Sequence, residues 1–193
     1  MKSICVYCGS ANHASRKYFL AAHRMGETIA QRGLTLIYGG GRTGLMGALA
    51  DSVLAGGGQV LGVITEGMNT TELAHIHLTR LEVTETIHQR KARMYALADG
   101  YLALPGGYGT LDELFETLTW AQIGEHHKPV GLLNVDGYYN PLLEMLDRAV
   151  KEKFLFPEHR LSLCCATEPD KLLDAMEAHI YPQDAVQRWM KQA

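Results

Sequence analysis

The chain has 193 residues, a formal net charge of −3 and 47% hydrophobic residues, which describes a globular protein long enough to bury a core by itself. Its four cysteines are too few for a disulfide scaffold, and neither a secretory leader nor an apolar stretch of about 20 residues is present, so we expect a cytoplasmic protein with no membrane partner. The slight acidity gives no electrostatic reason to expect nucleic acid as a partner, and any anionic ligand must be held locally.

Short apolar runs alternate with longer stretches of helical periodicity along the chain. In chain order, strands are predicted at 3–8, 34–38, 60–65, 101–104, 130–134 and 161–166. Helices are predicted between and after them, at 15–31, 43–55, 84–98, 110–123, 141–153 and 169–180. Several strands are apolar throughout, which is typical of strands with helices packed on both sides. The predicted fold class is therefore α/β, a Rossmann-like doubly wound parallel sheet with helices on both faces, in a single domain.

The end of the chain has a different character. Residues 1–180 are expected to form the domain and residues 181–193 a mostly polar C-terminal tail. In the tail, Val186, Trp189 and Met190 recur at helical spacing. Packing of these side chains on their own domain is the simpler interpretation, and contact with a second chain is the alternative.

The cysteines occur as two close pairs, each within a strand-like run. Cys5 and Cys8 are three residues apart, so in a strand they point to opposite faces and do not form a redox pair. Cys164 and Cys165 are adjacent and also point to opposite faces. We expect all four thiols to pack in the interior rather than react.

The first glycine-rich loop, residues 38–47, follows the second predicted strand and leads into a helix. Gly39, Gly41 and Gly44 satisfy the G-x-G-x-x-G spacing of dinucleotide-binding loops, and Glu66 follows at about the 20-residue distance expected for an acidic group that binds a ribose hydroxyl. An NAD-binding enzyme is therefore one candidate. Its weakness is that such a loop normally follows the first strand, whereas this loop follows the second.

The second glycine-rich loop, residues 104–113, again lies between a strand and a helix. Its glycines allow the backbone to approach an anion closely, and the first turn of the helix offers unpaired N–H groups and a partial positive charge. Thr110 is expected to act as the N-cap or as a hydroxyl ligand of a phosphate. Glu113 stands three residues later, so it either completes a capping box or places a carboxylate beside a bound sugar.

Three motifs resemble those of one family. Residues 105–113, PGGYGTLDE, resemble the PGGxGTxxE signature of the LOG family, the cytokinin-activating phosphoribohydrolases long mislabelled as lysine decarboxylases. Residues 90–94 resemble the family's RKAxM helix, and residues 39–47 resemble its first glycine loop. The resemblance covers nearly the whole chain, including residues 8–10 and 129–139. It implies hydrolysis of the N-glycosidic bond of a nucleoside 5'-monophosphate, such as a cytokinin nucleotide or AMP, to a free base and ribose 5-phosphate.

The resemblance also implies roles for individual residues. Glu113 and Arg90 are the implied catalytic pair, in which the carboxylate stabilises a sugar cation or orients water and the guanidinium positions the ribose phosphate or the leaving base. The residues implied to bind the substrate are Glu72, Lys91, Met94, Thr119, Gly106, Gly107, Tyr108, Gly109 and Thr110, with Gly39, Gly40 and Gly41 of the first loop. Without the resemblance, Arg90 and Lys91 would be interpreted as a solvated helix face and Met94 as core.

Other functions stay open from the sequence. A lysine decarboxylase would need pyridoxal phosphate on a Schiff-base lysine, and no lysine is singled out, so no cofactor is expected. The alternative on the same fold is a non-catalytic carrier of a nucleotide or of molybdenum cofactor, which would need the glycine loops but not the Arg90–Glu113 pair. The histidines cluster only at 75–77 and 126–127, without a clear third ligand, so no metal is expected. The resemblance further implies a homodimer with sites near the subunit interface.

Overall fold

The computed structural model describes residues 1–182 and, beyond them, Asp184, Val186, Gln187 and Lys191. In this part of the chain the strands are β1 Ser3–Tyr7, β2 Thr35–Tyr38, β3 Val60–Thr65, β4 Arg80–Thr84, β5 Tyr101–Ala103, β6 Val130–Leu133 and β7 Leu163–Ala166. The helices are α1 Arg16–Gln31, α2 Gly44–Ala55, α3 Ile87–Leu97, α4 Tyr108–Ile123, α5 Asn140–Lys151, α6 Pro157–Leu161 and α7 Pro169–Glu177.

The strands form one parallel sheet in the order β4-β3-β2-β1-β5-β6-β7. The chain builds outward from β1 to β4 on one side, returns to the centre and builds from β5 to β7 on the other. This reversal places a topological switch point between the carboxyl ends of β1 and β5, where ligand-binding crevices form in such sheets. The predicted Rossmann-like, doubly wound α/β fold is confirmed.

Helices cover both faces of the sheet, and each face has its own apolar core. On one face α1, α2 and α7 pack on the strands, and side chains such as Met25 and Leu49 are fully buried. On the other face lie α3, α4 and α5, with Met94 and Leu114 buried against the sheet. Since successive strand residues point to opposite faces, β1 and β5 supply side chains to both cores.

Two elements differ from the sequence-based prediction. The predicted helix at 84–98 is wrong at its start, because Thr84 ends β4 and α3 begins at Ile87. No strand is predicted for β4, which is an edge strand whose side chains are exposed or half-buried and therefore lacks an apolar run. The short helix α6 is also absent from the prediction, and it contains Leu161, which the sequence assigns to the last strand.

The capping box expected at Thr110 and Glu113 is wrong. Helix α4 begins two residues earlier than expected, at Tyr108, and Gly107 is its N-cap. Thr110 is therefore inside the first turn, and its side chain is buried. A capping box occurs instead at α3, where the Thr86 hydroxyl accepts a hydrogen bond from the backbone N–H of Gln89. Glu113 is thus not needed to cap α4.

The first cysteine pair packs as expected, because Cys5 belongs to the core on one face of the sheet and Cys8 to the core on the other. Burial raises the pKa of both thiols. The second pair is only partly as expected. Cys164 is half-buried against α7, but Cys165, which points to the opposite face of β7, is exposed. Interior packing is therefore the wrong expectation for Cys165.

The start of the predicted tail packs on its own chain. The ring of Tyr181 stacks on His127 with 4.3 Å between ring centroids, and its hydroxyl donates to the carbonyl of Ala121. Val186 lies against Gly124, at the end of α4. Trp189 and Met190, the other two apolar residues singled out in the tail, lie outside the described residues. Within the described part of the chain, no helix combines the length and the apolarity that crossing a membrane requires.

Candidate active site

The second glycine-rich loop lies at the switch point, between the end of β5 and the start of α4. A Cβ atom built at Gly107 or at Gly109 would meet no other atom within 4 Å. The space in front of the first turn of α4 is therefore open. Because the N–H groups of a first helical turn have no acceptor within the helix, this turn presents donors and a partial positive charge to that space.

Two tyrosines that the sequence analysis did not single out hold this loop in place. The hydroxyl of Tyr138 donates to the carbonyl of Gly106, and the hydroxyl of Tyr139 donates to the carbonyl of Leu104, both at 2.6 Å. The two tyrosines stand between β6 and α5, more than thirty residues along the chain. Their hydrogen bonds fix the backbone of the loop.

A pocket of about 310 Å³ extends from this loop across the switch point. Its walls come from the loop after β1, the start of α1 and the second glycine loop. It is lined by Gly9, Ser10, Ala11, Ala14, Tyr18, Leu45, Pro105, Gly106, Gly107 and Tyr138. A ligand held by the start of α4 would therefore have room on this side of the sheet as well.

Arg90 and Glu113 form an ion pair between α3 and α4. Nη1 of Arg90 donates to Oε1 of Glu113 at 3.1 Å, and the two side chains are only 10% and 13% exposed. Nε of Arg90 also donates to the carbonyl of Val63, at 2.9 Å, which ties the guanidinium to the end of β3. Both charged groups are thus removed from bulk water and fixed near the carboxyl ends of the central strands.

The protonation of Glu113 reflects two opposing effects. Burial raises the pKa of this carboxyl above its usual value, and the nearby Arg90 guanidinium lowers it in part. The pKa that results is raised, so this carboxyl gains and loses a proton closer to neutrality than an exposed glutamate does. A carboxylate in such a poorly solvated place interacts strongly with any positive charge that develops beside it.

Lys91 and Met94 lie on the same helix as Arg90 but have different surroundings. The ammonium group of Lys91 bridges Asp112 at 3.1 Å and Glu116 at 3.0 Å, which joins α3 to α4. Met94 is buried in the core. Both border a narrow slit that reaches Glu113 and is closed on the other sides by Tyr7, Tyr95, Glu116, Thr117 and Trp120.

The first glycine-rich loop lies next to this pair, but it is closely packed. A Cβ atom at Gly39 would lie 2.1 Å from Nη2 of Arg90, and one at Gly41 would lie 2.5 Å from Cε of Met46. Gly40 has a φ of +73° and lies against β3. The G-x-G-x-x-G spacing therefore serves internal packing at these positions, and Glu66 is exposed at the end of β3.

Two residues implied to bind substrate make local hydrogen bonds. Glu72 is exposed and accepts a hydrogen bond from the Thr71 hydroxyl at 3.0 Å, in a segment that pairs with the first glycine loop through Gly41 and Ala74. Thr119 lies in α4, but its hydroxyl donates to the carbonyl of Phe115 at 2.7 Å. It borders a separate groove between α4, α5 and α6. Tyr108, by contrast, is 95% exposed at the mouth of the second loop.

The clustered histidines have local partners. Nε2 of His75 lies 2.9 Å from Oδ1 of Asp51, and its Nδ1 accepts the backbone N–H of His77. Nε2 of His126 lies 2.9 Å from the carbonyl of Thr117, and burial lowers the pKa of this histidine. Among the described residues, no three His, Cys, Asp or Glu side chains are grouped as metal ligands would be.

A doubly wound parallel sheet with an open helix start, a buried ion pair and a pocket at its switch point defines an α/β protein of the Rossmann-like class. The family model described as possible lysine decarboxylase matches residues 46–176 of this chain. The chain belongs to this family, the LOG family.

Relatives from plants are similar over most of their length. A rice protein (Oryza sativa subsp. japonica) named probable cytokinin riboside 5'-monophosphate phosphoribohydrolase LOGL5 is 45% identical over 181 residues, which are 94% of this chain and 74% of the rice protein. The Arabidopsis thaliana protein named cytokinin riboside 5'-monophosphate phosphoribohydrolase LOG7 is 46% identical, over 92% of this chain and 82% of its own.

Solved structures share the fold at lower identity. The molybdenum cofactor binding protein from Rippkaea orientalis has a TM-score of 0.70 and 22% identity, over 92% of this chain and 97% of its own. The molybdenum cofactor carrier protein from Chlamydomonas reinhardtii has a TM-score of 0.68 and 20% identity, over 91% and 96%. At such identities the likeness shows the fold alone.

Proposed function

We propose that this chain is a phosphoribohydrolase, which hydrolyses the N-glycosidic bond of a nucleoside 5'-monophosphate to a free base and ribose 5-phosphate. The observation that carries the proposal is the buried Arg90–Glu113 pair next to an open, glycine-lined helix start. The names of the rice and Arabidopsis relatives support the same reaction and point to cytokinin riboside 5'-monophosphates as substrates. We propose AMP as a second candidate substrate.

The first step of the proposed reaction is capture of the 5'-phosphate. The backbone N–H groups of the first turn of α4 would donate to the phosphate oxygens, with Gly107 and Gly109 leaving the anion room to approach. Gly106, Tyr108 and Thr110 complete this part of the proposed site. Because the helix itself supplies the positive potential, no basic patch is needed, which agrees with the net charge of −3.

The second step is cleavage of the bond between C1' and the base nitrogen. The bonding electrons leave with the base, which takes up a proton, and the sugar develops positive charge at C1' and the ring oxygen. The Glu113 carboxylate stabilises that charge or orients the attacking water, whose oxygen bonds to C1' while its proton is released. Arg90 keeps the carboxylate in place and offers a donor to the ribose phosphate or the leaving base.

The remaining contacts of the proposed site lie around this centre. Lys91 and Met94 border the slit that reaches Glu113, and Glu72 lies on the segment beside the first glycine loop. We include Glu72, Gly40 and Gly41 as residues that shape the part of the site proposed to hold the nucleobase. Thr119 faces a different groove of the same chain, so its part in the site would require a second subunit.

We also propose a cytoplasmic homodimer in which residues 1–180 are the catalytic domain and residues 181–193 a tail. The groove that Thr119 borders has both apolar and polar side chains in its lining, and Phe154 and Leu161 nearby are 85% and 80% exposed. Contact with a second copy would cover this surface. Sedimentation velocity tests the proposal: two chains per particle are expected, and a monomer at all concentrations would contradict it.

The proposed reaction has a direct assay. Purified protein is incubated with AMP and, separately, with isopentenyladenosine monophosphate, and free base and ribose 5-phosphate are measured together. Equal amounts of the two products are expected, without added metal or cofactor. A protein that binds these nucleotides but releases no base would instead be a carrier, and the comparison of the two substrates shows which base is preferred.

A further inference from the structure

The loop after β2 leaves a space that the tip of Arg90 fills. A Cβ atom at Gly39 would lie 2.1 Å from Nη2 of Arg90 and 3.3 Å from its Cζ. A carbon and a nitrogen that are not bonded pack at about 3.5 Å or more, so the shorter contact is a severe overlap. No residue other than glycine fits at position 39 while the guanidinium keeps its place.

The backbone conformation at Gly39 does not itself require glycine. Its φ lies outside the left-handed region, whereas the neighbouring Gly40 has a φ of +73°. Alanine could therefore adopt the backbone conformation of Gly39 without strain. The need for glycine at this position comes from the space that Arg90 occupies.

The guanidinium of Arg90 is fixed on its other sides. Nε donates to the carbonyl of Val63 at 2.9 Å, and Nη1 donates to Glu113 at 3.1 Å. Nη2, which faces Gly39, has no hydrogen-bond partner within the part of the chain that the structure describes, and it is not sealed from solvent. Its N–H groups are thus available to an oxygen of a bound ligand.

We infer that Gly39 is a positioning residue for Arg90 rather than a substrate contact: its missing side chain lets the guanidinium sit against the loop, pair with Glu113 and keep Nη2 free for the substrate. This inference rests on the proposed function, because it assigns Gly39 to the nucleotide-cleaving site. It changes the role that the sequence implies for this glycine, which is direct contact with the nucleotide.

The inference predicts a specific result for Gly39→Ala. Nη2 is the end of a flexible side chain, so the new methyl group displaces the guanidinium rather than the backbone, and the variant still folds. Displacement of a catalytic group by about 1 Å can cost on the order of 100-fold in rate. We therefore expect the turnover of AMP to fall by roughly that factor in a variant that remains folded and loses only the stability that the weakened Arg90–Glu113 pair contributes.

A double-mutant cycle separates positioning from contact. Arg90→Met keeps the apolar stem of the side chain but removes the guanidinium, so alanine at position 39 no longer meets a clash. The double variant should then be no slower than Arg90→Met alone. If Gly39→Ala slows Arg90→Met by the same factor as it slows the unchanged protein, Gly39 acts independently of Arg90 and the inference is overturned.

The pKa of Glu113, measured by carbon-13 NMR of its carboxyl group, gives a readout that does not depend on catalysis. Arg90 lowers this pKa against the effect of burial, so displacement of the guanidinium in Gly39→Ala should raise it, as Arg90→Met does. Gly67→Ala is the matched control, because a Cβ atom there meets nothing within 4 Å. If the unchanged protein cleaves no nucleotide, the proposed function fails, yet this titration still tests the inference. An unchanged pKa of Glu113 in Gly39→Ala would overturn it.

Discussion

The two glycine-rich loops are similar in sequence but differ in what surrounds their glycines. In the first loop, added Cβ atoms would run into the protein itself: into Arg90 at Gly39, into Met46 at Gly41, and into the backbone of Ser10 at Gly44. In the second loop, Gly106 is packed in the same way, because a Cβ atom there would lie 2.1 Å from Oγ1 of Thr110, but Cβ atoms at Gly107 and Gly109 would enter open space. Both loops lie at the carboxyl ends of strands in the same sheet, and both lead into helices.

This difference shows that a run of glycines has two distinct physical uses. In the first loop glycine allows close packing of the chain on itself, which holds Arg90 and the loop after β1 in place. In the second loop, Gly107 and Gly109 keep space free beside unpaired N–H groups, which is what an anionic ligand needs. The two loops meet at the Arg90–Glu113 pair, since Arg90 contacts the first loop and Glu113 belongs to the helix that follows the second.

The largest effect is expected at the Arg90–Glu113 pair. Glu113→Gln keeps the shape of the side chain and removes its charge, so the sugar cation loses its stabilising group. Turnover of AMP should fall on the order of 100-fold or more. Asp112→Asn is the matched control, because Asp112 is a neighbouring carboxylate that is 61% exposed and should leave most of the activity. Equal rates for Glu113→Gln and the unchanged protein would remove Glu113 from the mechanism.

Substitution of a glycine in the first glycine-rich loop should lower the stability of the fold. At Gly44, which has a φ of +59°, a Cβ atom would lie 2.4 Å from the carbonyl carbon of Ser10. Gly44→Ala therefore combines backbone strain with a clash against backbone, and the free energy of unfolding should fall by about 2 kcal/mol. Urea denaturation followed by circular dichroism measures this change. A stability equal to that of the unchanged protein would show that the first loop is not packed as described.

Substitution of a glycine in the second glycine-rich loop should instead weaken the binding of AMP. Gly109→Ala meets no atom of the protein, and alanine favours the helix more than glycine does, so the melting temperature should stay the same or rise. The new methyl group enters the space proposed for the phosphate, and the KM for AMP should rise roughly 10-fold, which corresponds to about 1.4 kcal/mol. An unchanged KM would place the phosphate elsewhere.

The smallest effect is expected at Tyr138, which holds the second glycine-rich loop through one hydrogen bond. Tyr138→Phe removes the hydroxyl that donates to the carbonyl of Gly106, and one such hydrogen bond contributes about 1 kcal/mol. The KM for AMP should rise a few-fold at most, with the fold intact. Tyr139→Phe provides the comparison, because its fully buried hydroxyl bonds to Leu104 and its loss should lower stability more than binding. The reverse pattern would contradict the assignment of these two contacts.

Much of the fold could be predicted from the sequence, because the central strands are apolar and the loops after β2 and β5 contain runs of glycine. The edge strand β4 could not, since its exposed side chains follow no apolar pattern and Thr84 resembles a helix start. The sequence favours Thr110 over Gly107 as the N-cap of α4, because glycine and tyrosine at 107 and 108 are a weaker helix-start signal than threonine. Sequence patterns within a short segment therefore predict that a helix or strand is present better than they predict the residues at which it begins and ends.

The candidate site was predictable only in part. Motif resemblance suggested Arg90 and Glu113, and physical reasoning on the helix alone would have interpreted Arg90 as a surface charge. The contact of Gly39 with Arg90 joins residues that are about fifty positions apart, and the hydrogen bond of Tyr138 to Gly106 spans 32 positions. Such contacts follow from the sheet order, so no local sequence pattern contains them.

The central claim is that one nucleotide spans the open helix start and the Glu113 carboxylate. The most direct test is a crystal structure of Glu113→Gln with uncleaved AMP. The account predicts the 5'-phosphate on the N–H groups at the start of α4 and C1' of the ribose next to the side chain at position 113. A ribose bound far from residues 104–113 would contradict the account.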